Sequence, residues 1–204
     1  LSFGGIQWFN LFVSSGALVL FKWEDMTAKD SDIQDLGNEP TDSGNHNETS
    51  KDKDLPRMMS IQYPYNFLNR TYEIGLSEVS IRENCGLLAY SPLAGGRLSG
   101  KYLENQNPKN SRYTLWPRRF SRHHTERGEK AIKSYVNLAK NLNIKPSTFA
   151  NAFVNNRPFV TSNIIGATSM DQLKENIDSI DIELSPEILK KINDIHLSDP
   201  NPCV

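Results

Sequence analysis

Cysteine is scarce in this chain, and neither sign of charge is in excess. Its 204 residues contain two cysteines, Cys85 and Cys203, without the spacing of a metal site. We therefore expect free thiols in a reducing compartment such as the cytoplasm, with no disulfide framework and no bound metal. The formal net charge of −1 and the ordinary apolar content are typical of one soluble globular domain with a real core.

The first 23 residues lack the features of a targeting or membrane segment. Residues 1–21 carry no charge, but Gln7, Asn10 and several glycines and serines interrupt the run. Its most apolar part, residues 11–21, is too short to span a bilayer, and no basic region precedes it. We expect no membrane role, with membrane or organelle association through this segment as the alternative. Because the sequence starts at Leu1, we also expect its natural N-terminus to lie further upstream.

Residues 24–54 lack large apolar side chains. They carry ten acidic residues against three lysines, together with many Asn, Ser, Thr and Gly. Such a segment buries too little surface to offset the entropy of ordering the chain. We interpret it as an acidic, disordered linker that precedes an ordered domain at residues 55–204.

Strand and helix patterns alternate from Leu55 onward, and no internal repeat is present. The patterns predict strands at 58–62, 87–90 and 160–165 and helices at 72–84, 130–141, from Pro146 through Val154, 170–177 and 187–195. In the first helix, apolar residues fall broadly on one side: Ile74, Leu76, Val79 and Ile81. This alternation predicts an α/β fold with parallel βαβ units.

The stretch Thr161–Ile177 predicts an anion site. An apolar strand meets Gly166, and Ser169 followed by Gln172 has the spacing of a capping box at a helix start. Free N–H groups and the helix dipole at such a turn favour a phosphate. The alternative is an ordinary strand-to-helix turn that binds nothing.

A second strand-to-glycine unit spans Gly86–Lys101. Its strand is followed by three glycines and two cations, namely Gly95, Gly96, Gly100, Arg97 and Lys101. Glycine permits close approach of a backbone to a ligand, and Arg and Lys suit phosphate oxygens. A plain surface loop is the alternative, but two such units in one α/β chain favour a phosphate-bearing ligand.

The stretch Ser111–Lys130 is basic and contains interleaved aromatic residues. We favour a solvated loop over a nucleic-acid patch, and a flap whose arginine meets a dinucleotide phosphate is a third interpretation. His123 and His124 have no partner at metal-ligand spacing, so we interpret them as loop residues.

Three motifs together resemble the C-terminal half of an aldo-keto reductase. They are SIQYPYNFLNR (Ser60–Arg70), LLAYSPLAGGRLSGKY (Leu87–Tyr102) and IIGATSMDQLKENI (Ile164–Ile177). The resemblance covers about residues 55–202 and is strongest to the subgroup of bacterial Tas-type reductases, plant homologues and potassium-channel β subunits. It implies a (β/α)8 barrel, here only in part, and NADP(H) as the cofactor.

The resemblance also implies the cofactor-binding residues. Gln62 stands where the family contacts the nicotinamide carboxamide, and Tyr90 where an aromatic residue stacks on the nicotinamide ring. The pyrophosphate loop and its basic contacts match Ser91, Pro92, Leu93, Ala94, Gly95, Lys101 and Arg112. The adenosine and 2′-phosphate end matches Gly166, Thr168, Gln172, Glu175 and Asn176.

The catalytic half of the family pattern is not found. The family's Asp, Tyr, Lys and His tetrad comes from the first half of the barrel, and the earliest tyrosine here is Tyr63. Residues Asn47–Ser50 resemble a family strand-end motif, but the helix that follows this motif in the family is missing from the sequence before Leu55. We therefore assign no catalytic residue and expect this polypeptide to be inactive by itself.

Three descriptions of the chain remain open. It is a truncated NADPH-dependent reductase of aldehydes or ketones, an NADP(H)-binding regulatory module with a partner protein, or a non-functional fragment. The uncharged start, the acidic spacer and the abrupt onset of family sequence favour the last as a description of this polypeptide. We expect no nucleic-acid partner, and we expect oligomers through the exposed strand edges of a partial barrel.

Overall fold

The computed structural model describes residues 57–106, 108–115 and 123–203, together with strand backbone at residues 2–3, 6–13 and 17–22. The predicted acidic linker and residues 116–122 of the basic loop lie outside the described residues. The chain divides into two compact units. The sheet unit contains Leu1–Pro64, Tyr72–Tyr90 and Arg157–Gly166, and the helical unit contains Tyr65–Thr71, Ser91–Asn156 and Ala167–Val204.

The sheet unit is built around six strands. They are β1 (Ser2–Phe3), β2 (Ile6–Val13), β3 (Ala17–Lys22), β4 (Ser60–Pro64), β5 (Gly86–Tyr90) and β6 (Val160–Ile165). Their order is β1-β2-β3-β6-β5-β4, with β4, β5 and β6 parallel and the other pairs antiparallel. The parallel part confirms the predicted α/β arrangement.

Strand β3 lies next to β6, and the sequence analysis did not predict this neighbour. It pairs antiparallel with β6, from Leu18 opposite Ile165 to Phe21 opposite Ser162. Consequently β6 is hydrogen-bonded on both sides, and the described sheet ends at β1 and β4. The apolar segment near the start of the chain thus contributes strands to the sheet.

The first helix, α1 (Leu76–Glu83), is shorter than the predicted one. Residues Thr71–Glu73 form a separate 3₁₀ turn, and the helix starts after Gly75, whose φ of 91° is left-handed. The predicted apolar face is also wrong in part, since Ile74 and Ile81 are 74% and 58% exposed. The buried residue of the helix is Ser80.

A buried tyrosine explains why a serine occupies the inner face of α1. The Tyr72 hydroxyl is hydrogen-bonded to the Ser80 hydroxyl, and its ring lies 5.6 Å from the Tyr63 ring and 5.5 Å from the Phe159 ring. Burial raises the pKa of Tyr72 to about 12. Ser80 is small, and its hydroxyl can share a hydrogen bond with the Tyr72 hydroxyl beneath the helix.

The structure describes five α-helices in the helical unit. They are α2 (Arg112–Leu115), α3 (Glu126–Asn141), α4 (Pro146–Asn155), α5 (Met170–Asp178) and α6 (Pro186–Ser198). Thr125, Ser169 and Ser185 cap α3, α5 and α6 through their side chains. The predicted starts of α4, α5 and α6 are confirmed, whereas the Thr125 cap starts α3 four residues earlier than predicted.

Aromatic rings fill the core of the helical unit. Phe67 stacks on Tyr135 at 4.3 Å between ring centroids and contacts Phe149 and Phe153 at 5.2 and 4.4 Å. Burying one such ring contributes about 1.5–3 kcal/mol. Residue 67 belongs to the segment after β4, so this cluster holds that segment between α3 and α4.

Both cysteines are free, as the sequence predicts, and the structure shows that both are buried. Among the helices of the described residues, none has the length and apolar character needed to cross a membrane.

Candidate functional site

Two of the sequence-predicted cofactor residues lie in neighbouring parallel strands, Gln62 in the middle of β4 and Tyr90 at the end of β5. Gln62 of β4 lies opposite Leu88 of β5, and Tyr90 of β5 lies opposite Ile164 of β6. Because strand residues alternate between faces, Gln62 and Tyr90 project to the same face of the sheet. Gln62 is exposed and Tyr90 half-buried. The structure therefore places an amide and an aromatic ring diagonally on one face of neighbouring strands.

Gly166, the residue after β6, is a glycine that the described fold does not require. A Cβ placed on it would meet nothing within 4 Å, and its φ lies outside the left-handed range. A side chain would thus fit here without strain. The open space is what a backbone needs in order to approach a ligand closely.

The stretch from Ser91 to Gly100, which we call the glycine loop, is strained. Ser91 and Ala94 have φ values of 57° and 47°, and Gly95, Gly96 and Gly100 have φ values of 69°, 96° and 81°. A left-handed residue other than glycine costs about 1–2 kcal/mol. Such strain clusters at ligand sites, where the surrounding structure has to maintain it.

Internal hydrogen bonds shape the glycine loop. The Ala94 N–H donates to the Ser91 carbonyl at 2.9 Å, and the N–H groups of Gly96 and Leu98 donate to the Leu93 carbonyl at 2.8 and 3.2 Å. Pro92 and Ala94 are buried. The loop is therefore a set of consecutive tight turns.

Lys101 places its ammonium group against the glycine loop. A Cβ built on Gly96 would lie 3.7 Å from Lys101 Cε and 3.8 Å from its Nζ. The same Nζ lies 5.1 Å from the centre of the Tyr102 ring. Lys101 is otherwise exposed, so its charge is available to a phosphate at the loop.

The other predicted cation of the loop, Arg97, is buried. Its guanidinium lies 5.4 Å from the centre of the Tyr113 ring and 3.6 Å from a Glu129 carboxylate oxygen. Arg97 thus anchors α2, on which Arg112 is exposed next to the buried Tyr113. Sequence reasoning counted Arg97 among the cations suited to a phosphate, because its burial depends on an aromatic partner that is remote in sequence.

The start of α5 confirms the predicted Ser169 cap, but the Gln172 side chain bonds to Thr168 rather than to Ser169. The Ser169 hydroxyl accepts from the Gln172 N–H at 3.3 Å. The Gln172 Oε1 accepts from the N–H and the hydroxyl of Thr168 at 3.0 and 3.1 Å, one residue before the cap. Thr168 and Gln172 are therefore brought together on the exposed surface of this turn.

Glu175 and Asn176 are bonded to α4 and to the residue that precedes it. The Glu175 carboxylate accepts from Lys145 Nζ and from the Ser147 hydroxyl, and the hydrogen bond from Lys145 is the main cause of its lowered pKa. Asn176 is buried, and its Oδ1 accepts from Asn151 Nδ2 at 2.9 Å. Sequence reasoning missed Lys145, Ser147 and Asn151; the start of α4 at Pro146 was the available signal.

Comparison with known proteins identifies the family. Residues 36–196 match the Aldo/keto reductase family. The chain belongs to the aldo/keto reductase family. The match begins upstream of residue 55, where the resemblance in the sequence was first drawn.

Individual relatives agree with this membership. The chain is 48% identical to Protein tas of Escherichia coli (strain K12) over 143 residues, which are 70% of this chain and 41% of that protein. It is 38% identical to an aldo-keto reductase of Babesia bovis over 145 residues, 67% of this chain and 50% of that protein. It is 31% identical to a putative voltage-gated potassium channel subunit beta of Schizosaccharomyces pombe over 141 residues, 66% of this chain and 41% of that protein. The chain spans about half or less of these relatives.

Within each unit, this aldo/keto reductase chain groups its candidate residues closely. The sheet unit holds Gln62 and Tyr90 on one face of β4 and β5, and Gly166 directly after β6. The helical unit contains the glycine loop with Lys101 and, separately, the turn at Thr168 with the bonded pair Glu175 and Asn176. No group of three or more metal-ligating side chains comes together in the part of the chain that the structure describes.

Proposed function

We propose that this chain is the NADP(H)-binding part of an aldo-keto reductase that reduces aldehydes or ketones. The observation that carries the proposal is the glycine loop, which holds Ser91 and Ala94 in left-handed conformations directly after strand β5. A fold keeps such strain only where the surroundings maintain it, and close approach to a ligand is the usual reason.

The residues present fit a dinucleotide phosphate. Lys101 holds a cation beside the glycine loop, and the N-terminus of α5 offers a helix dipole that favours negative charge. Gln62 and Tyr90 offer an amide and an aromatic ring for a nicotinamide. When bound, a reduced nicotinamide supplies a hydride for a carbonyl carbon. The side chains named here bind and orient the dinucleotide.

Proton donation is the part of the reaction for which we assign no residue. A tyrosine that protonates a carbonyl oxygen near neutral pH needs a lowered pKa. Burial instead raises the pKa of both Tyr72 and Tyr113 to about 12. We therefore propose that residues 57–203 bind the cofactor without completing the reaction, and that the polypeptide 1–204 alone does not oxidise NADPH.

A regulatory role is the second candidate, because relatives named as potassium channel subunit beta are 31% and 32% identical to this chain. Such a role predicts nucleotide binding without turnover and a protein partner. It shares the nucleotide site with the reductase proposal, so a binding test comes first.

The test is a fluorescence titration of the purified 204-residue chain with NADPH and with NADH. We expect saturable binding with a preference for NADPH and no consumption of NADPH on addition of a simple aldehyde. Lys101→Met should weaken NADPH binding about tenfold, the effect of losing one charge-assisted hydrogen bond. Lys191→Met, at an exposed position in α6, is the matched control and should leave it unchanged. Absence of NADPH binding would refute the proposal. Steady NADPH oxidation would refute the claim that the chain alone lacks a proton donor.

A further inference from the structure

Asn66 connects two backbone segments of the helical unit through one buried amide. Asn66 is buried, with 1% of its surface exposed. The Oδ1 atom accepts from the N–H groups of Leu68 and Asn69 at 2.9 and 3.1 Å. The Nδ2 atom donates to the carbonyl oxygen of Ser91 at 3.0 Å. The amide therefore closes its own turn and also reaches the first residue of the glycine loop.

The bond to Ser91 acts where the glycine loop is strained. Ser91 has a φ of 57°, and its carbonyl also accepts from the Ala94 N–H at 2.9 Å. The direction of this carbonyl thus fixes the first turn of the loop. Asn66 supplies a hydrogen bond that is lost if the Ser91 peptide rotates towards an ordinary, right-handed or extended conformation.

We infer that Asn66 is a positioning residue that holds the glycine loop in its nucleotide-binding conformation before any nucleotide arrives. The inference rests on the proposed function, and it adds a residue outside the set that sequence reasoning selected. Asn66 acts through the Ser91 carbonyl rather than by contact with the nucleotide. Pre-organisation of this kind improves affinity because the loop need not be ordered on binding.

The alternative is that Asn66 only closes the turn from residue 66 to residue 69, and one substitution separates the two roles. Asn66→Asp keeps an acceptor for Leu68 and Asn69 but removes the donor to Ser91. The matched control is Asn69→Asp. Asn69 is also buried, and its Oδ1 accepts from the N–H and hydroxyl of Thr71 at 3.2 and 2.6 Å.

The experiment combines two measurements on the purified 204-residue chain. Amide hydrogen exchange of the peptide that covers residues 91–100 is measured without nucleotide, and NADP⁺ affinity is measured by calorimetry. At about pH 8 we expect Asn66→Asp to speed the exchange and weaken the affinity, each about tenfold, while Asn69→Asp matches the unmodified chain. When the pH is lowered far enough to protonate the new carboxyl group, the variant should regain affinity relative to the unmodified chain, because a protonated carboxyl group can donate to Ser91 again.

Three outcomes would overturn the inference. Unchanged exchange in Asn66→Asp would show that the loop does not depend on the donor. An equal effect in Asn69→Asp would reduce Asn66 to a structural role in the turn. If the unmodified chain binds no NADP⁺, the proposed function fails, and with it the claim that Asn66 prepares the loop for a nucleotide. Faster exchange in Asn66→Asp would in that case still support the narrower claim that Asn66 holds the loop through Ser91.

Discussion

Asn151 donates from Nδ2 to Oδ1 of Asn176 at 2.9 Å, in a buried contact between α4 and α5. Asn151 is fully buried and Asn176 is 4% exposed. A polar pair in such a place stabilises the fold only while both members are present, since a buried group without its partner pays the full cost of desolvation. Sequence reasoning had chosen Asn176 as a cofactor residue, and the structure gives it a structural bond as well.

The first prediction concerns stability in the absence of nucleotide. Asn176→Ala should lower the free energy of unfolding by about 1–3 kcal/mol, because it removes the acceptor of the buried Asn151 amide. Urea unfolding followed by circular dichroism measures this change. Lys174→Ala, which breaks an exposed ion pair with Asp178 one turn along the same helix, is the control and should change it by less than about 0.5 kcal/mol. Equal effects of the two substitutions would contradict the prediction.

The second prediction separates folding from binding at Gly166. Gly166→Leu should leave the melting temperature nearly unchanged, because an added Cβ meets no atom within 4 Å. It should weaken NADPH binding by at least about tenfold if a nucleotide fills that space. Glu183→Leu, at an exposed position in the helical unit, controls for added surface apolarity. Normal NADPH affinity in a folded Gly166→Leu protein would remove Gly166 from the site.

The third prediction is a loss of stability at high pH. Burial raises the pKa of Cys85 from 9.0 to about 11. The native state therefore holds this proton more tightly than the unfolded state does, so the contribution is complete below pH 9 and is lost as the pH rises through 11. We expect the free energy of unfolding of the unmodified chain to fall across this window. In Cys85→Ala the free energy of unfolding should fall less steeply. Identical slopes for the two proteins in urea titrations would rule out Cys85 as a cause.

The fourth prediction concerns the pair Lys145 and Glu175. Lys145 neutralises the Glu175 carboxylate, which the family resemblance places near the 2′-phosphate. Lys145→Met should therefore leave a negative charge that repels this phosphate and weaken NADP⁺ binding severalfold more than NAD⁺ binding. Lys174→Met, which removes an exposed lysine without touching Glu175, is the matched control. An equal loss for both nucleotides would show that the pair does not sense the 2′-phosphate.

Local signals in the sequence determined much of the framework. Strand β6 has the predicted bounds, and the Ser169 hydroxyl caps α5 at the predicted residue. Pro146 starts α4 as expected. Each of these features depends on a few neighbouring residues, namely an apolar run, a side chain three residues before an N–H, or a fixed φ. A sequence can specify such features without reference to the rest of the chain.

The tertiary structure decided which surfaces are buried and what the candidate residues contact. Ile74 and Ile81 of the predicted apolar face are exposed, and the inner face of α1 instead presents Ser80 to the Tyr72 hydroxyl. Arg97, which the sequence offered as a cation for a phosphate, is buried against Tyr113.

The candidate site shows the same division. Its glycines and Lys101 could be read from the motif, whereas the left-handed backbone of Ser91 and its bond to Asn66 could not. The two residues are 25 positions apart in the chain, and only folding brings the amide to that carbonyl. The sequence by itself thus determined the family, the three parallel strands, the starts of α4 and α5 and the glycine-rich loop. The partners that hold the loop were decided by long-range packing, because such contacts depend on the whole fold.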